Sequence, residues 1–348
     1  MKRGGDEAWR PTMKDVARSA GVSLKTVSRV VNGETTVAPV LAARVHAAVQ
    51  SLAYRPHIGA SMLRRNDRRT RTIGVLVEDV SNPFSSALHR AVEDEARSRG
   101  IHVLTGSLDE DPQRERELAR AFAQRHADGL IIAPTDGDQQ YLATELPADT
   151  PVVFIDRPAT GFPGDTVLAT NVVGATEAVH HLVAHGHRRI AFLGDQSRIA
   201  TARSRHRGYL AALAEAGLEP VAARELHHSS AAESATIALF RHAEPPTALF
   251  TGQNLITIGA VRALRRLRLH REVALVGFDD FPLADLVEPA VTVVAQDPVA
   301  MGRKAARALF ERIDGDRQPP REFWIPTRLI RRGSGELPPR PVRTPAAL

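Results

Sequence analysis

Residues 12–31, TMKDVARSAGVSLKTVSRVV, decide how the chain is read. Thr12 stands three residues before Asp15, a capping-box arrangement with Asp in place of Glu, so a helix starts here. Val16, Ala17 and Ala20 share one face of it. Gly21 stops it, because the chain must turn through a backbone conformation that costs glycine little. Ser23 then caps a second helix whose apolar face is Val27, Val30 and Val31. Two short helices joined by about three residues make a helix-turn-helix. A third helix over about 39–52 places Val40, Leu41, Val45, Ala48, Val49 and Leu52 at helical spacing, and we expect all six to be buried. Its cap position, Ala38, is a poor one, costing about 1 kcal/mol relative to Ser.

Around this stretch the charge is uneven. Residues 1–70 carry 13 Lys/Arg against 5 Asp/Glu, while the remaining 278 residues carry 33 against 35. The whole positive excess therefore sits in the first fifth of the chain, which points to a polyanion-binding module on a neutral body. The 348 residues, 43% hydrophobic and 25% charged, are enough for two or three domains. No run approaches the roughly 18 apolar residues of a membrane span. Residues 1–11 are charged and lack the apolar core of an export signal, so a cytoplasmic protein is expected. With no cysteine, disulfides, thiolate metal sites and cysteine catalysis are excluded.

From Thr72 onward, short β-branched runs (72–77, 129–133, 152–155, 189–193, 248–250, 273–276) alternate with amphipathic stretches (85–99, 114–125, 174–185, 205–215, 257–267). That alternation reads as parallel sheets with crossover helices. The turn after the first run, Glu78-Asp79-Val80-Ser81-Asn82, lacks the glycines a pyrophosphate requires, so no dinucleotide cofactor is expected. Walker-type, HExxH and GxSxG sequences are absent. His181 and His185 share a helix face, but no metal is expected there. His227-His228 reads as a surface loop. No constellation calls for catalysis.

Several of these residues together resemble the lac repressor (LacI/GalR) family. They are Asp15-Val16-Ala17, Ala20-Gly21-Val22-Ser23 and Thr26-Val27-Ser28-Arg29-Val30 with Asn32-Gly33, then Tyr54-Arg55-Pro56, Ile73-Gly74-Val75 and Ser81-Asn82-Pro83-Phe84. His185-Gly186-His187-Arg188-Arg189-Ile190 and Val276-Gly277-Phe278-Asp279-Asp280 complete the set. The resemblance implies an all-α helix-turn-helix headpiece followed by an α/β periplasmic-binding-protein-like body of two parallel-sheet subdomains, with chain crossings near 168, 297 and 326. The expected organisation is a disordered N-terminus (1–11), a DNA-binding domain (12–55), a hinge helix and linker (56–71), a two-lobed effector-binding and dimerisation domain (72–333) and a Pro-rich tail (334–348). The expected function is sequence-specific binding of a palindromic operator as a homodimer, repressing transcription under control of a sugar or related metabolite. The tail has no heptad repeat for tetramer formation.

On the second helix, Leu24, Lys25, Ser28 and Arg29 lie opposite the valine face. Arg29 is suited to guanine O6 and N7, a pairing worth about 1–3 kcal/mol of discrimination. Leu24 suits a thymine methyl, and Lys25 a guanine or phosphate. Thr26, Ser28, Asn32 and Tyr54 are candidates for phosphate and register, and Ser23 is a further DNA-binding candidate. In the hinge, His57 and Leu63 are candidates, with Leu63 falling on the family's minor-groove wedge. For the effector the resemblance nominates Asn82, Phe84, Asp156, Arg157, Arg205, Gln253, Asn254 and Asp279. Gln253 replaces the family's usual Asn, and 229–232 lacks an aromatic residue to stack on a pyranose. A pentose, sugar acid, purine-like or phosphorylated effector stays open alongside a hexose. The rival readings are a periplasmic-type solute-binding protein, which would need an export signal and no basic headpiece, and a sugar-modifying α/β enzyme, which would need a catalytic constellation.

Overall fold

A computed structural model describes residues 11–31, 34, 36–54 and 69–339. The expectations for residues 1–10, Asn32, His57, Leu63 and 340–348 lie outside the described residues. The chain divides into two compact units, Met1–Thr70 and Arg71–Leu348.

In the first unit, α1 (Met13–Ala20), α2 (Leu24–Val31) and α3 (Pro39–Ser51) surround a small core. The capping box forms in both directions. Thr12 Oγ1 accepts from the Asp15 N–H at 3.4 Å, and Asp15 Oδ2 accepts from the Thr12 N–H at 2.9 Å. Gly21 ends α1 at φ +59°, and a Cβ there would also lie 2.5 Å from the Arg44 guanidinium. Ser23 Oγ accepts from the Thr26 N–H at 3.1 Å and so caps α2. Val16, Val27 and Val45 close the core. Ala38 makes no side-chain cap bond, and α3 starts instead on Pro39, whose missing N–H is no loss at that position. Of the six residues expected to be buried, only Val45 and Ala48 are; Leu41, Val49 and Leu52 are half-buried, and Val40 is 73% exposed. The inward line of α3 runs through Leu41, Val45, Ala48 and Leu52, and Val40 sits about 100° off it.

The second unit holds two six-stranded sheets, one per lobe. The first runs in the order β11-β5-β4-β3-β1-β2, from β1 (Thr72–Val77), β2 (His102–Ser107), β3 (Leu130–Ile132), β4 (Val152–Ile155), β5 (Asp165–Ala169) and β11 (Glu322–Ile325). The second repeats the pattern as β12-β10-β9-β8-β6-β7. Its members are β6 (Ile190–Leu193), β7 (Val221–Ala223), β8 (Ala248–Thr251), β9 (Ala274–Phe278), β10 (Thr292–Ala295) and β12 (Arg328–Ile330). Neighbouring strands are parallel except for β10 and β12. The central strands are apolar throughout because helices cover both faces, as parallel sheets require. The edge strand β2 has no residue fully buried, so it lacks the apolar run that betrays its neighbours.

Helices α4 (Pro83–Ser98), α5 (Pro112–Gln124) and the short α6 (Leu142–Glu145) serve the first lobe; α7 (Asn171–Ala184), α8 (Ala200–Glu215), α9 (Ser229–Leu239) and α10 (Asn254–Arg266) serve the second. The last helix, α11 (Pro298–Ile313), returns to the first lobe, where Met301, Ala305 and Leu309 join the core of Val75, Leu88 and Val153. Its Gly302 lies so close to α4 that a Cβ would stand 2.5 Å from the Leu88 carbonyl oxygen. The chain therefore crosses between lobes at Thr170, at 296–297 and at 326–327. The carboxyl ends of the central strands of both sheets face one cleft, the usual place for a ligand in open α/β sheets.

Candidate functional site

On α2, Leu24 (40% exposed) and Lys25 are exposed, and Ser28 and Arg29 are half-buried beside them. Ser23 and Thr26 are exposed and half-buried respectively, and their hydroxyls bond to each other at 2.9 Å. Arg29 Nε lies 3.5 Å from Glu34, an exposed and therefore weak ion pair that leaves the guanidinium available. Tyr54 differs from the others: it is 9% exposed, with its ring in the headpiece core. It supports the fold, and only its edge can meet another molecule.

The cleft between the lobes holds a cavity of about 60 Å³, walled by residues of both lobes. Asp156 follows β4 and Asp279 follows β9, the equivalent strand of the other lobe. Each N–H extends its ladder, Asp156 to Val167 O and Asp279 to Val294 O, both at 2.9 Å. Both also adopt left-handed backbone, at φ +68° and +69°. That conformation is uncommon outside glycine, though less so for Asp, and here it turns two carboxylates into the cleft.

Arg205, on α8, is buried and held from several sides. Its Nε donates to Asn171 Oδ1 at 2.8 Å and its Nη1 to the Gly252 carbonyl at 2.8 Å and Asp279 Oδ2 at 3.2 Å. The guanidinium carbon sits 3.9 Å from the centre of the Phe278 ring, a cation–π contact that fixes its plane. Gln296, just past β10, donates to the other oxygen of Asp279 at 2.6 Å. Across the cleft, Arg157 gives both terminal nitrogens to Glu110, at 2.8 and 2.6 Å. Its Nε is 3.5 Å from Asp156 Oδ2. Burial works against the Arg157 charge, but Glu110 holds its pKa above the ordinary arginine value.

Asn82 and Phe84 also line the cavity. Asn82 Oδ1 caps α4 by accepting from the Phe84 N–H at 3.1 Å, and it accepts a second bond from Asn254 Nδ2 at 2.9 Å, a link between lobes. Gln253 caps α10 through the Leu255 N–H at 2.7 Å and donates to Asp195 at 3.1 Å. Asn254 is buried beneath this junction and does not itself line the cavity. None of residues 229–232 reaches it; the apolar wall comes from Phe84, Leu88, Ile199 and Ala202.

Six polar wall residues escaped the sequence reading: Glu78, Ser85, Glu110, Asp195, Thr201 and Gln296. Glu78 and Gln296 directly follow β1 and β10, and Asp195 follows β6 by two residues, so their position after strand ends was the available signal. His227 is a correction. It is half-buried, not a solvated loop residue, because its Nδ1 donates to Asp195 at 3.1 Å while its Nε2 lies 3.8 Å from Glu78. The bond to Asp195 outweighs burial and raises its pKa. Burial, reinforced by Glu110, pushes the Glu78 carboxyl up to about 7 despite Arg157 and His227. Burial likewise raises Asp156. Burial opposes ionisation of Asp195 too, but bonds from His227, the Gln196 N–H and Gln253 outweigh it and hold that carboxyl low.

The histidines of 181–187 belong elsewhere. His181 lies 2.8 Å from Glu336, and His187 bridges Thr247 Oγ1 at 2.9 Å and the Leu337 carbonyl at 2.8 Å, pinning the C-terminal segment to the second lobe.

Comparison with known proteins matches both units. The model for bacterial regulatory proteins of the lacI family matches residues 12–57, and that for a periplasmic binding protein-like domain matches residues 179–335. The chain is 32% identical over 330 residues to the ribose operon repressor of Escherichia coli strain K12, covering 93% of this chain and 99% of the relative. The lac repressor dimer bound to operator and the anti-inducer ONPF is similar at 25% identity and a TM-score of 0.82, covering 94% of this chain and 99% of that one. A crystal structure of a ribose operon repressor homologue from Burkholderia thailandensis shares 36% identity at a TM-score of 0.69, over 75% of this chain and 99% of that one. Identity at this level over nearly the full length of both sequences leaves one assignment: the chain belongs to the LacI family of bacterial regulatory proteins.

Proposed function

We propose that this protein is a transcriptional repressor that binds a near-palindromic operator as a homodimer and is controlled by a small hydroxylated metabolite held between the two lobes. One observation carries the reading: a single chain joins a helix-turn-helix with an exposed polar face on α2 to a body whose cavity draws its walls from both lobes. In this reading Leu24, Lys25 and Arg29 meet base edges, while Ser23, Thr26, Ser28 and Asn32 meet phosphates. Residues 56–71 act as the hinge, with His57 in it and Leu63 wedged into the minor groove. Asn82, Phe84, Asp156, Arg157, Arg205, Gln253 and Asp279 hold the metabolite, with Asn254 supporting Asn82.

A ligand touching both lobes shifts their closure, since three contacts already bridge the cleft: Asn254 to Asn82, Arg198 to the Glu110 carbonyl at 2.9 Å, and His227 to Glu78. Coupling of this kind amounts to about 1–3 kcal/mol of differential affinity between two states. The relatives being transcriptional regulators, we also propose that the cleft binds without turnover and that the protein acts in the cytoplasm. Among the described residues no helix is long and apolar enough to cross a membrane.

The test is selection of full-length protein against a randomised duplex pool. A two-fold symmetric motif should be enriched, bound with an affinity that falls steeply with salt as phosphate contacts release counterions. Enrichment of no motif over the starting pool refutes the reading.

A further inference from the structure

The charge of the cleft is out of balance. Glu78, Glu110, Asp156, Asp195 and Asp279 all line it, against Arg157 and Arg205. Both arginines are already engaged, Arg157 by Glu110 and Arg205 by Asp279, Asn171 and the Gly252 carbonyl. Even with His227 protonated and Glu78 neutral, one negative charge is left over.

The surplus has an address. Asp156 is only 8% exposed, and its Oδ1 has no hydrogen-bond partner. Its Oδ2 has only the 3.5 Å approach of Arg157. A buried carboxylate oxygen without a donor is rare, because the group loses its water and receives nothing in exchange. The groups around it are Arg157, Arg205, Asp279 and Glu110, and those around Glu78 are Glu110, Arg157, His227 and Asp79. Burial raises the pKa of both carboxyls, and the nearby positive charges do not offset it.

We propose that the ligand of this cleft is a polyhydroxylated amine whose ammonium group pairs with Asp156, and that carboxylated and phosphorylated analogues are refused. The inference rests on the effector reading above and narrows it. A hydroxyl would satisfy Asp156 Oδ1 geometrically but would leave the surplus charge uncompensated. An ammonium does both, and in a buried site the charge-assisted bond is the stronger. An anion would meet a surplus of carboxylates, with each guanidinium already bonded to one of them.

The test uses the full-length chain and calorimetric titration with a matched panel. The probes are D-glucosamine, D-galactosamine, D-mannosamine and the 1-amino-1-deoxy pentitols, each beside its parent sugar or polyol, with D-gluconate and glucose 6-phosphate as anions. We expect at least one amine to bind tenfold or more tighter than its parent, and that ratio to collapse once pH rises above the pKa of the amine. Asp156→Asn should abolish that ratio; its collapse with rising pH in the unmodified protein provides the second readout if the variant does not fold. A parent or an anion that binds as tightly as every amine overturns the proposal, and so does failure of every amine to bind. Neither result removes effector control, which fails separately if a compound bound in the cleft leaves operator affinity unchanged.

Discussion

Glu110→Ala is the substitution whose consequences the structure specifies most fully. Glu110 is almost entirely buried and receives both terminal nitrogens of Arg157. Removing it leaves a buried guanidinium with the Pro134 carbonyl at 3.4 Å and Asp156 at 3.5 Å as its remaining partners. Breaking a buried pair from one side costs about 3–5 kcal/mol. The residual partners place the expected loss at the low end, about 3 kcal/mol. Arg157→Leu alone should cost a similar amount by stranding Glu110. The double variant should recover part of the loss, giving a coupling energy of about 2 kcal/mol in a double-mutant cycle. Urea unfolding is the assay, followed by far-UV circular dichroism and by tryptophan emission, since Trp324 lies on β11 beside a crossing segment. A loss below about 1 kcal/mol for Glu110→Ala, or a coupling near zero, would mean that Arg157 is held by Asp156 or by water, and the account of the cleft would fail. The same variant should gain measurable binding of D-gluconate, because it returns the planar fork of Arg157 to the ligand.

Three further outcomes can be checked. Arg29→Ala should weaken operator binding by about 1–3 kcal/mol while sparing most non-specific binding, measured by gel shift on operator and scrambled duplexes; equal losses on both contradict base readout. Gly302→Ala forces a methyl against Leu88 and Ala91 on α4. It should destabilise by about 1–2 kcal/mol in urea, overpacking outweighing the better helix propensity of Ala, and an unchanged midpoint would show that the helices separate freely. Asp165 is buried against Arg312 and Arg321, at 2.6 and 2.9 Å, and their hydrogen bonds overcome burial to hold its pKa near 2. A depressed carboxyl stabilises the fold above its unfolded value of 3.8 and loses that contribution as pH falls toward 2. Of about 2 kcal/mol, most should disappear between roughly pH 4 and 2, and the acid limb of Asp165→Asn should be flatter by that amount; parallel limbs for the two proteins would exclude this source.

The headpiece was legible because its signals are local. Capping at Thr12 and Ser23, the stop at Gly21 and the valine face of α2 each depend on residues within one turn of each other, where helix geometry leaves no freedom. Val40 was misplaced because a helix face is about 100° wide and apolarity alone does not set its phase. In the body, the buried runs of β1, β4 and β9 announced a parallel sheet, whereas β2 sits on an edge and carries no such pattern.

For the cleft, the resemblance located individual residues: Asp156 and Asp279 at strand ends and Arg205 on α8 all line it. It was silent on their partners. Glu110 and Arg157 are 47 positions apart, His227 and Glu78 are 149 apart, and nothing in either neighbourhood says that they meet. Whether an arginine faces a ligand or is neutralised by a glutamate depends on how two strand ends and two loops converge. Fold and family were therefore settled by patterns a few residues long. The sign of the charge offered to a ligand was decided only by tertiary packing, because electrostatic energy depends on distance through space and not on separation along the chain.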